Sequence, residues 1–340
     1  MRKFVIILIS LLFVIRISAQ NKIDKKTVTA VFYNVENLYD TINDPAINDE
    51  EFLPSSPKKW NSDKYIKKLD SLAKVISSIN TKELPEIVGF AEIENKSVLE
   101  DLIKTKNLKN GNYQIVHQNS PDGRGIDVGL IYRPDELKYI SHQIIPFVAD
   151  YQIKYKLRDI LYVKGLLDKK DTIHIFINHW KSRSGGEKET ENQRISQSQN
   201  LRNVVDSILL SNKNAKILIM GDLNDTPRNT SVFETLKANS DYSDNTNLVN
   251  LMLPLVDAGK GSHSFRGEWT MLDNIIVSQS FLCKNDGFIV KNNEAYVFNA
   301  EWITFTNNKG EKSPSRTYGG LNYYGGFSDH YPVYVTFVKK

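Results

Sequence analysis

The chain has 340 residues, 40% of them hydrophobic and 25% charged, enough apolar material for one large core or two small ones. Its formal charge of +4 does not mark a general polyanion binder, and its single cysteine, Cys283, excludes an internal disulfide and a thiolate-rich zinc centre. No Pro/Ser-rich linker, repeat or low-complexity tract divides it, so one domain over residues 20–340 is expected.

Arg2 and Lys3 precede the apolar run Phe4 to Ile15, and Ser18 and Ala19 offer small residues for cleavage. That is the pattern of an export signal over residues 1–19. The run is short for a bilayer span and Arg16 interrupts it, so no transmembrane anchor is expected. Cleavage would place the protein in the periplasm or outside the cell. Losing Arg2, Lys3 and Arg16 lowers the bases from 44 to 41 against 40 acids, so affinity for a polyanion has to be local, drawn from Lys181, Arg183, Arg124 and the Lys154, Lys156, Arg158 cluster.

Val28 to Val35 reads as the first strand, and a period of two brings Asn34 and Glu36 out together. A helix is predicted over Asp63 to Ile79, with Ile66, Leu69, Leu72, Ala73, Ile76 and Ile79 as its core stripe. Ile87 to Ile93 is a buried strand with Glu92 where apolar residues give way, and an isolated carboxylate there suits a hard cation such as Mg²⁺. Gly123-Arg124-Gly125 then leads into a strand that begins at Asp127; it is either a phosphate clamp or a salt-bridged loop.

The strand Ile173 to Asn178 runs into His179, Trp180, Lys181, Ser182 and Arg183. Lys181 and Arg183 either hold an anion or are solvated charges. A second helix is predicted from Glu191 to Leu210. The run Ile217 to Met220 delivers Asp222 and Asn224 to a breaker-rich loop. An acid that takes a proton from water beside an amide that donates to a phosphoryl oxygen suits phosphate chemistry, and a capped turn is the other reading. Asp273 opens another strand, and Asp329-His330 stands at the mouth of the strand around Val333 to Val338, either an acid–base pair or a turn beside a surface histidine.

Taken together, the Asn-Val-Glu-Asn opening, the Glu92 strand, Gly221-Asp222-Leu223-Asn224 and Ser328-Asp329-His330-Tyr331-Pro332-Val333 resemble the endonuclease/exonuclease/phosphatase superfamily, from about Thr27 to Phe337. Asn178 to Ser182, followed by a helix with Arg194, Gln197 and Gln199, is most similar to its secreted bacterial nuclease branch. The resemblance implies a DNase I-like α/β (α+β) fold, a four-layer sandwich of two packed, mostly antiparallel sheets flanked by helices. It also implies a phosphoric ester hydrolase working with Mg²⁺, or with Mn²⁺ or Ca²⁺.

By the same resemblance Glu92 would bind the metal, with Glu36, Asp329 and Asn34 completing its surroundings. Asp222 would orient or deprotonate water, and Asn224 would hold the scissile phosphate. His330 would donate to a phosphate oxygen with Asp273 fixing its tautomer, and His179 would be acid to the leaving oxygen. Asp127 is the candidate to orient His179, and Arg124 the candidate phosphate clamp. A nucleic acid is the expected substrate and a monomer the expected state. A phosphatase or phospholipid phosphodiesterase, or an inactive binding module, are the alternatives; Trp180, Trp269, Tyr318, Tyr323 and Tyr324 could serve bases, lipid or wall packing.

Overall fold

The computed structural model describes residues 26–147, 157–241, 243–244, 246–282 and 287–340. The segment 1–19 expected to be an export signal, Lys154, Lys156 and Cys283 lie outside the described residues.

The elements that build the site come in this order: β1 (Thr27–Leu38), α1 (Ser62–Ile79), β2 (Ile87–Ile93), α2 (Lys96–Lys104), β3 (Gln114–His117), β4 (Asp127–Tyr132), β5 (Leu137–Ile145), β6 (Ile160–Leu167), β7 (Asp171–His179) and α3 (Glu191–Ser211). Then follow β8 (Lys216–Asp222), β9 (Leu248–Asn250), the hairpin β10 (His263–Phe265) and β11 (Glu268–Thr270), β12 (Asp273–Ser278) and β13 (Phe288–Val297). The short pairs β14 (Thr304–Thr306) with β15 (Lys312–Pro314) and β16 (Tyr318–Gly319) with β17 (Asn322–Tyr323) precede β18 (Val333–Lys339).

One sheet has the order β13-β18-β1-β2-β4-β3 and the other β5-β6-β7-β8-β12-β9. Alternation along each central strand decides the layers. In β1, Val28, Ala30 and Phe32 face the second sheet, where they meet Ile175 and Ile177 of β7 and Leu218 and Met220 of β8. Val31, Tyr33 and Val35 face outward against Leu69, Leu72, Ala73 and Ile76 of α1. Phe176, Ile217 and Ile219 likewise meet Leu201, Val205 and Leu209 of α3. Each such fully buried aliphatic side chain contributes about 1.5–3 kcal/mol. The sheets approach closely at Gly89, where a Cβ would lie 2.5 Å from Ile177 Cδ1.

The helix α1 starts at Asn61, whose side chain accepts the Lys64 amide. Its stripe is buried as predicted except for Ile66, which is 55% exposed; Tyr65 and Lys68 turn inward in its place. Two parallel pairs matter most. β1 with β2 and β7 with β8 run parallel, joined across α1 and α3, while their other neighbours run antiparallel. The carboxyl ends of these four strands therefore open together, the usual place for a ligand site beside parallel strands.

Candidate active site at the carboxyl ends of the parallel strands

Those four ends deliver Asn34, Glu92, His179 and Asp222, with His179 opposite Asp222 in register. The antiparallel neighbour β12 sets Asp273 opposite Asp222 from the other side. His330 arrives just ahead of β18, whose Val333 pairs with Phe32 of β1. Ser328 and Ser262 lock it in place. The Ser328 hydroxyl donates to the Asn34 carbonyl (2.7 Å) and accepts the His330 amide (3.1 Å). Ser262 accepts the Asp273 amide on its hydroxyl (3.1 Å) and the Tyr331 amide on its carbonyl (2.7 Å).

The Asn34 side chain donates to Asp222 Oδ2 at 3.1 Å and to Glu92 Oε1 at 3.3 Å. His330 Nδ1 lies 2.7 Å from Asp273 Oδ2, and its Nε2 lies 3.8 Å from Asp222 Oδ2. His179 Nε2 is 3.7 Å from the same Asp222 oxygen and 3.9 Å from Glu92 Oε1. Two histidines thus flank one carboxylate. Backbone strain concentrates here as well: Glu36 (φ 51°), Asn37 (φ 51°), Glu92 (φ 64°) and Asn224 (φ 50°) are all left-handed. Such conformations persist where surrounding structure imposes them, which is common at functional sites.

Burial alone would favour a neutral His330, but the carboxylates of Asp273, Asp222 and Asp329 override it and raise its pKa well above the ordinary value. His179 goes the other way: burial and then the charges of Arg158, Arg124 and His330 hold it far below. Burial, with Asp273 adding to it, pushes Asp222 up to about 7. The site therefore pairs an imidazolium with a neutral imidazole around a carboxyl poised near neutrality, a division that suits acid–base work.

Several expected residues are placed elsewhere. The left-handed bulge after Asn34 breaks the period of two, so the Glu36 carboxylate turns away to accept the amides of Thr317 (2.6 Å) and Tyr318 (3.2 Å), 3.9 Å from the buried Lys68. Asp127 does not orient His179. Antiparallel pairing sets His117 opposite Gly129, and Asp127 takes His117 Nε2 at 3.0 Å. His179 Nδ1 is buried without a partner. Its low pKa also disfavours an imidazolium acid.

Arg183 is committed to the protein. It donates to the Asn224 carbonyl and pairs with Asp225 and Glu187, so it braces the Asp222–Asn224 loop rather than facing a ligand. The Asn224 amide donates to the Trp180 carbonyl at 3.0 Å. Lys181 sits among the charges of Arg158 and Arg124, with burial lowering its pKa. Arg124 keeps a half-exposed guanidinium, 3.6 Å from Asp122. Asp329 pairs with Arg316 at 3.1 Å, and although burial opposes it, His330, Arg316 and His263 hold its carboxyl low. Trp180 is wall packing, fully buried.

His263 and Arg316 escaped sequence reasoning, and a third contributor, Arg158, was expected as a polyanion contact and is instead spent on the protein. Arg158 is buried and donates to the carbonyls of His179 and Trp180 while pairing with Asp122 at 2.7 Å. His263 stacks on His330 with ring centroids 4.8 Å apart, and burial, with His330 beside it, lowers it to about 4. Arg316 stands half exposed at the mouth. Arg316 carried no motif, and His263 reaches His330 only through the β10–β11 hairpin.

The donor set fits a divalent cation. Glu92 offers a partly exposed carboxylate, oxygen chemistry of the kind a hard metal takes, held in place by the Asn34 NH2, which donates to it. Asp222, Asp273 and His330 also lie close enough to share an ion. A protonated His330 bound to Asp273 is a poor ligand, so Glu92 is the stronger candidate.

Two stacked mixed sheets, a layer of helices on each outer face and this acid–amide–histidine group at one end define the DNase I-like fold. A sequence profile of the Endonuclease/Exonuclease/phosphatase family matches residues 29–339. The chain belongs to this family of phosphoester hydrolases. No curated protein sequence matches it significantly. Among solved structures it is similar to an endonuclease/exonuclease/phosphatase family protein from Bacteroides thetaiotaomicron (15% identity, TM-score 0.57, covering 93% of this chain and 99% of that one). It is also similar to the human nocturnin catalytic domain with bound sulfate (16% identity, TM-score 0.55, 92% and 95% covered). A third is D. rerio TDP2 complexed with single-strand DNA product (15% identity, TM-score 0.54, 92% and 98% covered). At these identities the likeness concerns the fold.

Proposed function

We propose that the protein is an exported, divalent-metal-dependent nuclease that hydrolyses phosphodiester bonds of DNA or RNA in its single domain. The observation that carries the hydrolytic reading is the Asp273–His330–Asp222 group, an imidazolium held between two buried carboxylates. Asp222 takes a proton from the attacking water, and its pKa near 7 suits that task. His330 donates from Nε2 to a non-bridging phosphate oxygen while Asp273 keeps the proton on Nδ1. His179, neutral, contributes a ring nitrogen on the opposite side of Asp222. Asn224 adds its remaining amide hydrogen, and Arg124 clamps an adjacent phosphate. Glu92, oriented by the Asn34 NH2, would hold Mg²⁺, whose charge would offset that gathering on the phosphoryl oxygens.

A basic–aromatic surface supports a polynucleotide over a small phosphoester. Lys64 Nζ lies 4.7 Å over the Tyr323 ring, Lys58 Nζ 5.4 Å over Tyr318, and Lys67 Nζ 5.8 Å over Tyr323. Tyr324 beside them is 62% exposed. The Tyr318 amide donates to Glu36, which lies 3.6 Å from Arg316, the partner of Asp329, so this surface adjoins the mouth of the site. Alternating cations and rings suit a single strand's phosphates and bases. The test offers purified protein plasmid DNA, RNA, sphingomyelin, a phosphoinositide and a phosphomonoester, each with Mg²⁺, Mn²⁺ or Ca²⁺ and with chelator. Turnover of a lipid or phosphomonoester with none of DNA or RNA would overturn the nuclease reading.

A further inference from the structure

The buried face of α1 carries a lysine. Lys68 stands there between Tyr65 and Leu69, with its side chain 1% exposed. An apolar residue would suit that stripe, whereas a buried ammonium is costly unless hydrogen bonds and an opposite charge offset it. Both are present. Nζ donates to the Thr317 hydroxyl at 2.5 Å and to the Phe327 carbonyl at 2.6 Å, and it lies 3.9 Å from Glu36 Oε2. Burial lowers its pKa to about 8 while Glu36 and Asp329 oppose the fall, so it is charged at neutral pH. The two segments that it joins already run close together. The Phe327 amide donates to the Ser315 carbonyl at 2.5 Å, and a Cβ on Gly326 would lie 2.2 Å from that same oxygen. Ser328, Asp329 and His330 follow at once.

We propose that Lys68 is a positioning residue for the hydrolytic site: its ammonium clamps residues 316–318 to residues 327–330 and thereby sets where the His330 ring stands against Asp222. The inference rests on the hydrolytic part of the proposed function, whatever the phosphoester. Two routes lead from Nζ to the ring. One is short and runs along the chain, since the clamped Phe327 carbonyl belongs to the peptide bond with Ser328, whose hydroxyl accepts the His330 amide. The other is electrostatic. Glu36 sits between two cations, its Oε2 toward Lys68 and its Oε1 3.6 Å from Arg316 Nε, and Arg316 in turn pairs with Asp329 at 3.1 Å. Glu36 also accepts the Thr317 and Tyr318 amides, so the carboxylate that turned away from the site anchors the segment carrying Arg316. Without the ammonium, the Phe327 carbonyl loses its donor and Glu36 its buried counter-charge, and the loop shifts to satisfy them. A displacement of about 1 Å at a catalytic group costs on the order of a hundredfold in rate.

The test compares native protein with Lys68→Met, Lys68→Met plus Glu36→Gln, Ser328→Ala, and Lys68→Met plus Ser328→Ala, each assayed on the same phosphodiester well below its Tm. Adding Glu36→Gln removes both buried charges together, which spares the fold an uncompensated carboxylate. In Lys68→Met and in its Glu36→Gln double variant, kcat should fall about tenfold to a hundredfold. Ser328→Ala loosens the same loop, so its loss should overlap with that of Lys68→Met. The double variant should lose at least about threefold less than the product of the two single losses. Histidine-labelled NMR should show the His330 ring signals displaced in Lys68→Met and those of His174, on the second sheet, unmoved. A kcat within about twofold of native in either of the first two variants overturns the proposal, as do losses that multiply or a His330 spectrum that stays native. A native protein that leaves every phosphoester intact defeats the hydrolytic reading instead, and the His330 spectrum then still decides whether Lys68 sets the ring.

Discussion

Replacing Asp273 by asparagine keeps the side chain's shape and removes its charge. In the native site its Oδ2 lies 2.7 Å from His330 Nδ1, and neither side chain is more than 8% exposed, so water screens the pair little. An opposite charge at this range moves a histidine by about 1–3 pKa units, or about 1.4–4 kcal/mol between its two protonation states. Burial opposes the charged ring, and Asp222 remains 3.8 Å from Nε2, so the pKa of His330 should fall within that range. Because the native value is raised, the stability drawn from the imidazolium is complete below the unfolded value of about 6.5 and is lost as pH climbs through the folded one. Asp273→Asn should therefore destabilise most near pH 6 and least on the alkaline side of native His330. In kcat/KM against pH on a phosphodiester, the alkaline limb should move to lower pH by the same interval that NMR titration of His330 records. An unchanged titration with reduced turnover would refute the pairing's electrostatic role and leave Asp273 a packing residue.

Glu92→Gln should abolish turnover that chelator also abolishes in the native protein, with titration calorimetry showing loss of Mg²⁺ binding; retained metal-dependent turnover would dismiss Glu92 as the ligand. Asp127→Asn should loosen the hold on the buried His117 ring, its partner at 3.0 Å, and lower Tm, while leaving kcat/KM nearly unchanged. A collapse of activity would restore Asp127 to the site. Lys64→Gln with Lys67→Gln should cut the salt slope of single-strand binding by about 0.7 per lost phosphate contact while sparing a minimal diester; an unaltered slope removes that surface from the substrate path.

What the sequence could disclose was the strand ends, because apolar runs giving way to Asp, Asn, Glu or His are local signals. Asn34, Glu92, His179, Asp222, Asp273 and His330 stand together since β1, β2, β7 and β8 are parallel in pairs. Glu36 misled because a left-handed backbone cannot be read from alternation, and its φ of 51° reverses the side chain. Asp127 misled because its partner was chosen by the β3–β4 register, which puts His117 within reach. Arg183 looked like an anion contact until Asp225, Asn229 and Glu187 claimed its guanidinium. Charge type is legible in a sequence; the direction in which a side chain is spent is a tertiary matter.

The position of β18 carries a consequence for biogenesis. It pairs with β1 on one side and β13 on the other, in the middle of the first sheet's sequence-distant half, with Thr27 against Val338. A nascent chain that has not yet reached Val333 leaves β1 with an open edge and has no His330 to set against Asp222. Chain closure of this span is slow, and exposed edges invite mispairing in the interval. The same delay withholds the phosphoester hydrolase's complete site until the chain's end is in place. The strand that closes the sheet is preceded directly by the histidine that completes the site, so the site is complete only when the sheet is.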